Sequence, residues 1–355
     1  MRIAAGPLVM GGVAALGVVL AILASCESSR GPSPAVQGAV DAGEVGPSEA
    51  TPPPSSCQQD LMTEPTCTHP AVRAECVGGW CRIPRGCFVA GSPECEQGRA
   101  RDSEPQVQVT LTHDFEIQQY EVSREEWLAQ GFAIHSPDPK SDVKPCTEAS
   151  CPITNVTLQD AARFANKLSQ SKGLSLCYRF DQCETRDGGD GVVCGVWGQT
   201  TASLYDCQGY RLPTELEWEY AARAGTRTAI YTGEVAFRSG CELLASADRA
   251  GWYCGNAGRT THPRGQKEPN GWGLYDTSGN VFEWVTSNWN SWGYGSKPLV
   301  DPFPTIVANQ ELEVVRGGAA FAQMTNLRSA MRSSLPPGWQ SDGHGFRLVR
   351  TLPNR

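Results

Sequence analysis

No cysteine lies beyond Cys254 in a chain of 355 residues, and no two of the fifteen cysteines stand at the C-x-x-C spacing of a zinc knuckle or a thioredoxin-type redox site. Histidine is scarce as well. His69, His113, His135, His262 and His344 are scattered, so no histidine-rich metal site is encoded. Charged residues make up 19%, the net charge is −8, and no basic run or basic helix is present, which argues against a general nucleic-acid binder. The sequence has no P-loop, dinucleotide fingerprint or nucleophile elbow, and no internal repeat at a fixed period. What it does have is 38 Gly, 25 Pro and 10 Trp, the composition of a loop-rich globular fold held by aromatic anchors.

The one long apolar run, Leu8 to Ala24, follows a single basic residue, Arg2, and residues 1–25 read as a secretory signal. It closes on Leu23-Ala24-Ser25-Cys26, which resembles the bacterial lipobox. The resemblance implies cleavage before Cys26, a lipid on its thiol, and a membrane anchor in the cell envelope outside the cytoplasm. Setting Cys26 aside leaves fourteen cysteines, an even number that suits disulfides in an oxidising compartment. Pairs close in sequence, such as Cys146–Cys151 and Cys241–Cys254, are expected partners. Residues 26–56, rich in Ser, Pro, Gly and Ala, read as a tether that buries no core. Residues 57–81 read as a Cys-rich lead-in to a main domain at 82–351.

Within that domain, strands are expected in Arg82–Gly91, Gln106–Thr112 and Phe115–Glu121. Capping boxes at Ser123/Glu126 and Thr214/Glu217 each open a helix, and Thr157 caps a third running to about Lys172. Cys177–Cys207, with four cysteines, reads as a stapled insertion, and its Asp187-Gly-Gly-Asp190 as a turn. No comparable helix is expected after residue 240, where Trp252, Trp272, Trp284, Trp289 and Trp292 are the anchors.

Gly271–Trp284, GWGLYDTSGNVFEW, admits two readings. One is a glycine-rich turn followed by a buried aromatic strand. The other is an ion loop, in which the Asp276 and Glu283 carboxylates alternate with the Gly279 and Val281 carbonyls as oxygen ligands for a hard cation such as calcium.

The blocks RIPRGCFVAGSPE, HDFEIQQYEVSREEW, YRLPTELEWEYAARAGT, PNGWGLYDTSGNVFEW, VVRGGAAF, LRSAMRSS and HGFRLVR, in this order, resemble the formylglycine-generating enzyme (sulfatase-modifying factor) domain family. The resemblance implies an α+β fold, the loop-rich variant of the C-type-lectin fold, with few helices, short strands and many disulfides. It also implies a structural calcium ion at Asp276, Gly279, Val281 and Glu283. Phe282 stands where catalytic members carry a groove-lining tryptophan, and Arg316 and Ala319, from the RGG element, are its expected groove neighbours. In the region ADRAGWYCGNAGRTTHP, which would contribute to a second family calcium site, the pattern is not kept and no ligands are assigned.

Catalytic members of the family oxidise a sulfatase cysteine to formylglycine with a copper ion held by two thiols, and copper(I) needs such soft ligands to converge. A gapless match puts Ala322 and Leu327 at the two thiol positions, and Ala319 replaces a serine. Copper is therefore not expected, and Met324 alone reads as core. The iron-dependent sulfoxide synthesis known among relatives needs a histidine-rich site that this chain lacks. Two functions follow. One is a binding or assembly module presenting its groove to an envelope protein, peptide or glycan. The other is a formylglycine-type oxidase with a relocated or altered site.

Overall fold

Short alternating segments produce strands of two to eight residues: β1 Cys76–Val77, β2 Trp80–Ile83, β3 Gly86–Ala90, β4 Val107–Leu111 and β5 Phe115–Gln118. The hairpin of the insertion follows as β6 Tyr178–Thr185 and β7 Val192–Gln199. The C-terminal third adds β8 Phe282–Val285, β9 Leu299–Val300, β10 Glu313–Arg316, β11 Ser333–Leu335, β12 His344–Gly345 and β13 Val349–Thr351. These are seen in a computed structural model that describes residues 67–353 apart from 101–102, 138, 140, 142, 186–191, 236–239, 288–293, 296, 304–311 and 337. The expected signal, the tether with Cys26, the Asp187–Asp190 turn, and Trp289 and Trp292 lie outside the described residues.

Two four-stranded sheets, ordered β1-β2-β5-β13 and β11-β10-β8-β12, carry the domain, with β3-β4-β9 and the β6-β7 hairpin beside them. In β4 the burial alternates at every position, as a half-buried strand requires. Where it is described, the lead-in is not a separate piece. Trp80–Ile83 pairs antiparallel with Phe115–Gln118 in the domain's own sheet, and the disulfide Cys67–Cys87 ties the preceding chain to β3.

The three capped helices form where their caps place them. They are α1 Arg124–Ala129 behind Ser123, α2 Leu158–Ser171 behind Thr157, and α3 Glu215–Arg223 behind Thr214, each with a reciprocal capping box. A fourth, α4 Ala245–Ala250, was not expected. Its N-cap, Leu244, makes no side-chain cap bond, so the usual opening signal is missing.

Helix α3 organises the interior. All nine of its residues are buried, and the segment leading into it bridges Val349 through Arg211 and Thr286 through Thr214. Its three glutamates are each matched by arginine. Glu217 meets Arg211 at 2.7 Å, Glu215 meets Arg332 at 2.6 Å, and Glu219 meets Arg223 at 2.9 Å and Arg316 at 2.6 Å. Buried charges persist only when paired in this way. Burial pushes the Glu215 carboxyl up, but Arg332 and Arg316 outweigh that and hold it down at about 2.

Disulfides staple both the loops and the core. Among the described residues the pairs are Cys67–Cys87, Cys76–Cys81, Cys146–Cys151, Cys177–Cys207, Cys183–Cys194 and Cys241–Cys254. Cys95 is disulfide-bonded too, so all thirteen described cysteines are oxidised.

Candidate functional site

Asn270 sets the start of the GWGLYDTSGNVFEW loop. Its Oδ1 accepts from Trp272 N and Leu274 N while its Nδ2 donates to Ala221 O and Ala222 O, tying the loop to the end of α3. The chain then turns through left-handed positions at Asp276 (φ 56°), Gly279 (φ 111°) and Asn280 (φ 62°). Gly279 N donates to Gly317 O at 2.7 Å, and Ala320 N donates to Asn280 O at 2.9 Å. The loop is thereby seated on the Arg316–Ala320 segment.

The four predicted ligand positions are all buried, but their side chains differ in state. Asp276 Oδ2 accepts from Gly265 N at 2.6 Å, whereas its Oδ1 has no hydrogen-bond partner. Burial raises the Asp276 carboxyl to about 6, against the lowering effect of Gly265 N–H and Arg347. Glu283 is fully engaged instead. Arg347 donates to both of its oxygens, at 2.7 and 2.8 Å, and Trp218 Nε1 donates to Oε2 at 2.8 Å.

A third acid, outside the four expected ligand positions, lies nearby. Glu121 is fully buried. Its Oε2 accepts from Asn280 Nδ2 at 2.9 Å and its Oε1 has no partner. Burial, followed by the charges of Asp276 and Glu283, raises its carboxyl well above the ordinary range. No period-two signal reaches it: β5 ends at Gln118, which is buried while Gln119 is only half-buried, so the inward alternation of Phe115 and Ile117 breaks before Glu121. Among the described residues no three His, Cys, Asp or Glu side chains converge on a metal-sized position.

The expected groove residues are placed differently from one another. Phe282 is 6% exposed, stacked on His344 at 5.3 Å and set edge-on to Phe321 at 6.0 Å. Burial alone lowers the His344 imidazole to about 3, so the ring is neutral. Arg316 and Ala319 have no exposed surface, and so do not line an open groove. Arg316 is a core brace, donating to the Ser329, Ala330 and Met331 carbonyls and to Glu219.

At the thiol positions of the family, Ala322 is 4% exposed and Leu327 is buried completely, packed in a cluster with Met324 and Tyr253. The disulfide Cys241–Cys254 lies against this segment, with Cys254 N donating to Ala322 O at 3.0 Å. Elsewhere, α2 and β6 frame an open cavity of about 210 Å³ lined by residues including Phe132, Arg163, Lys167, Leu176 and Phe180, with no carboxylate in its wall.

Residues 69–352 match the model of the sulfatase-modifying factor enzyme 1-like domain. The chain is 32% identical over 266 residues to the chaperone protein LppX of Paenibacillus barcinonensis, an alignment covering 68% of this chain and 82% of that protein. It is 33% identical over 165 residues to the formylglycine-generating enzyme of Streptomyces coelicolor, covering 44% of this chain and about half, 52%, of the enzyme. Among solved structures, variable protein 1 of Treponema denticola superimposes with a TM-score of 0.58 at 26% identity, covering 80% of this chain and 100% of that one. PvdO from Pseudomonas aeruginosa gives 0.59 at 26% identity, covering 79% and 98%.

Proposed function

This chain belongs to the sulfatase-modifying factor enzyme 1-like domain family, and we propose that it is a member without the copper and thiol oxidation, acting as a binding or assembly module in the cell envelope. The observation that carries this reading is the pair Ala322 and Leu327. Both side chains are hydrocarbon, both are buried, and neither can hold copper(I). The described cysteines offer no substitute thiols, since all thirteen are in disulfides. A relative named a chaperone protein aligns over 68% of the chain, against 44% for the Streptomyces enzyme, which favours the binding reading further. A lipid on Cys26 would hold the domain at a membrane surface, where its partner is an envelope protein, peptide or glycan.

Asp276 and the carbonyls of Gly279 and Val281 suit a structural calcium ion, because all are hard oxygen donors on a loop already bent by left-handed residues. When bound, the ion would supply loop rigidity and neutralise buried carboxylate charge.

The module reading is tested by cross-linking the lipidated protein in its native envelope and comparing recovered partners with those of a deletion strain. Recovery of no specific protein, peptide or glycan, together with wild-type behaviour on deletion, counts against it.

One observation favours a second reading, an oxidase with a relocated site: the Cys241–Cys254 pair lies beside Ala322. Reduced, copper-loaded protein is offered a Cys-x-Pro-x-Arg peptide under oxygen. Conversion of its cysteine to the aldehyde overturns the module reading, and an unchanged peptide overturns the oxidase.

A further inference from the structure

We infer that Glu121 supplies a carboxylate oxygen to a calcium ion held at Asp276, in the role that the loop pattern assigns to Glu283. This rests on the calcium reading of the Asp276 loop.

Among the described residues, two buried carboxylate oxygens, Glu121 Oε1 and Asp276 Oδ1, have no hydrogen-bond partner, and Thr277 Oγ1 and Ser278 Oγ of the Asp276 loop have none either. A folded interior pairs nearly every such atom with protein, water or an ion. The two carboxylates share one set of walls. Asn280, next to Gly279, donates to Glu121 Oε2 and, at 3.2 Å, to His262 O. Arg264 Nη1 donates to the Glu121 carbonyl, and Gly265 N donates to Asp276 Oδ2. Residues 262–265 thus hold both acidic residues, fixing one oxygen of Asp276 directly and one of Glu121 through Asn280.

The charge balance decides what the free oxygens can take. The arginines nearby are committed elsewhere: Arg347 to Glu283 at 2.7 Å, and Arg264 to Glu126 at 2.6 Å. Among the described residues, Glu121 and Asp276 form no ion pair. Burying two such carboxylates as anions costs several kcal/mol or more, so they are held either protonated or with a cation between them. All donors at hand are oxygen, and since no third acidic, histidine or cysteine side chain converges, the remaining donors are the loop carbonyls and solvent. Oxygen-only donor sets with an irregular backbone loop suit calcium better than magnesium or a transition metal.

The test uses the purified mature chain, stripped with chelator and titrated with calcium by calorimetry, alongside Glu121→Gln and Glu283→Gln. One ion per chain is expected for wild type, with a raised melting temperature. Affinity should fall tenfold or more in Glu121→Gln and by less in Glu283→Gln. Absence of binding by wild type overturns both the calcium reading and the role of Glu121. Equal binding by wild type and Glu121→Gln overturns the role of Glu121 alone. Should the Gln variant fail to fold, a crystal structure of wild type grown in calcium decides. An ion at about 2.3–2.6 Å from a Glu121 oxygen is the expected result, and an ion on Glu283 with Glu121 unligated overturns it.

Discussion

Arg347 grips Glu283 with two nitrogens, Nη2 to Oε1 at 2.7 Å and Nε to Oε2 at 2.8 Å, and neither side chain has exposed surface. The arginine reaches from the segment after β12 to the middle of β8, so the pair locks the aromatic strand to the C-terminal end of the domain. The charge of Glu283 is answered within the protein by this arginine.

Removing the arginine alone should leave Glu283 buried and uncompensated. Arg347→Met is expected to destabilise the fold by about 3–5 kcal/mol in urea unfolding, and adding Glu283→Gln to it should recover at least half of that loss. The glutamine can still accept from Trp218 Nε1, which donates to Glu283 Oε2 at 2.8 Å in the wild type. Strictly additive losses would show that the two side chains are not coupled.

Local chemistry was the most legible part of the sequence. The caps at Ser123, Thr157 and Thr214 start helices where expected, and the pairs Cys146–Cys151 and Cys241–Cys254 form. Burial of charge was not legible. In α3 the pattern Glu215-x-Glu217-x-Glu219 looks like a solvated stripe, yet each acid is buried because an arginine distant in the chain or in the preceding loop reaches it. The same limit hid Glu121, whose burial follows from the packing of residues 262–280 and not from its neighbours in sequence. It also placed Arg316 in a groove when it is a core brace.

Gly279 illustrates a position set by backbone geometry. Its φ is +111°, and a Cβ there would sit 2.3 Å from Trp252 O. Gly279→Ala is therefore expected to cost about 3 kcal/mol or more, combining a forbidden conformation with a backbone clash. Gly78, at φ +60° with nothing within 4 Å of the added atom, provides the control. Its alanine variant should lose only about 1 kcal/mol. Chemical denaturation of the two variants side by side is the check, and similar losses would mean that the close approach to Trp252 relaxes freely.

The stapled insertion predicts a ranking. Cys177–Cys207 spans 30 residues and encloses Cys183–Cys194, which spans 11. If the bonds act by restricting the unfolded chain, replacing the outer pair with alanines should cost about 3–4 kcal/mol and replacing the inner pair somewhat less. Cys177 and Cys207 are also buried in the main core, which adds to the outer cost. A larger loss from the inner pair would show that hairpin packing outweighs chain entropy.

His113 gives the fold a pH dependence of determinable sign. Its Nε2 lies 3.1 Å from Glu217 Oε1 and its Nδ1 3.2 Å from Asp301 Oδ1. Burial pulls the imidazole down, but bonding to Asp301 and Glu217 prevails and raises it from 6.5 to about 9. A folded-state value above the unfolded one means that the protonated ring contributes its full stabilisation below pH 6.5. That contribution is lost as pH rises through about 9. Its size is on the order of 1–3 kcal/mol. His113→Gln keeps polar atoms near both acids but cannot carry the charge. Wild type should exceed it in stability by this amount near pH 6, with the gap closing steadily toward about pH 10. Melting curves of both proteins across that range would show it. A gap that stays constant with pH would mean that His113 is neutral in the folded state, and its contacts to Glu217 and Asp301 ordinary hydrogen bonds.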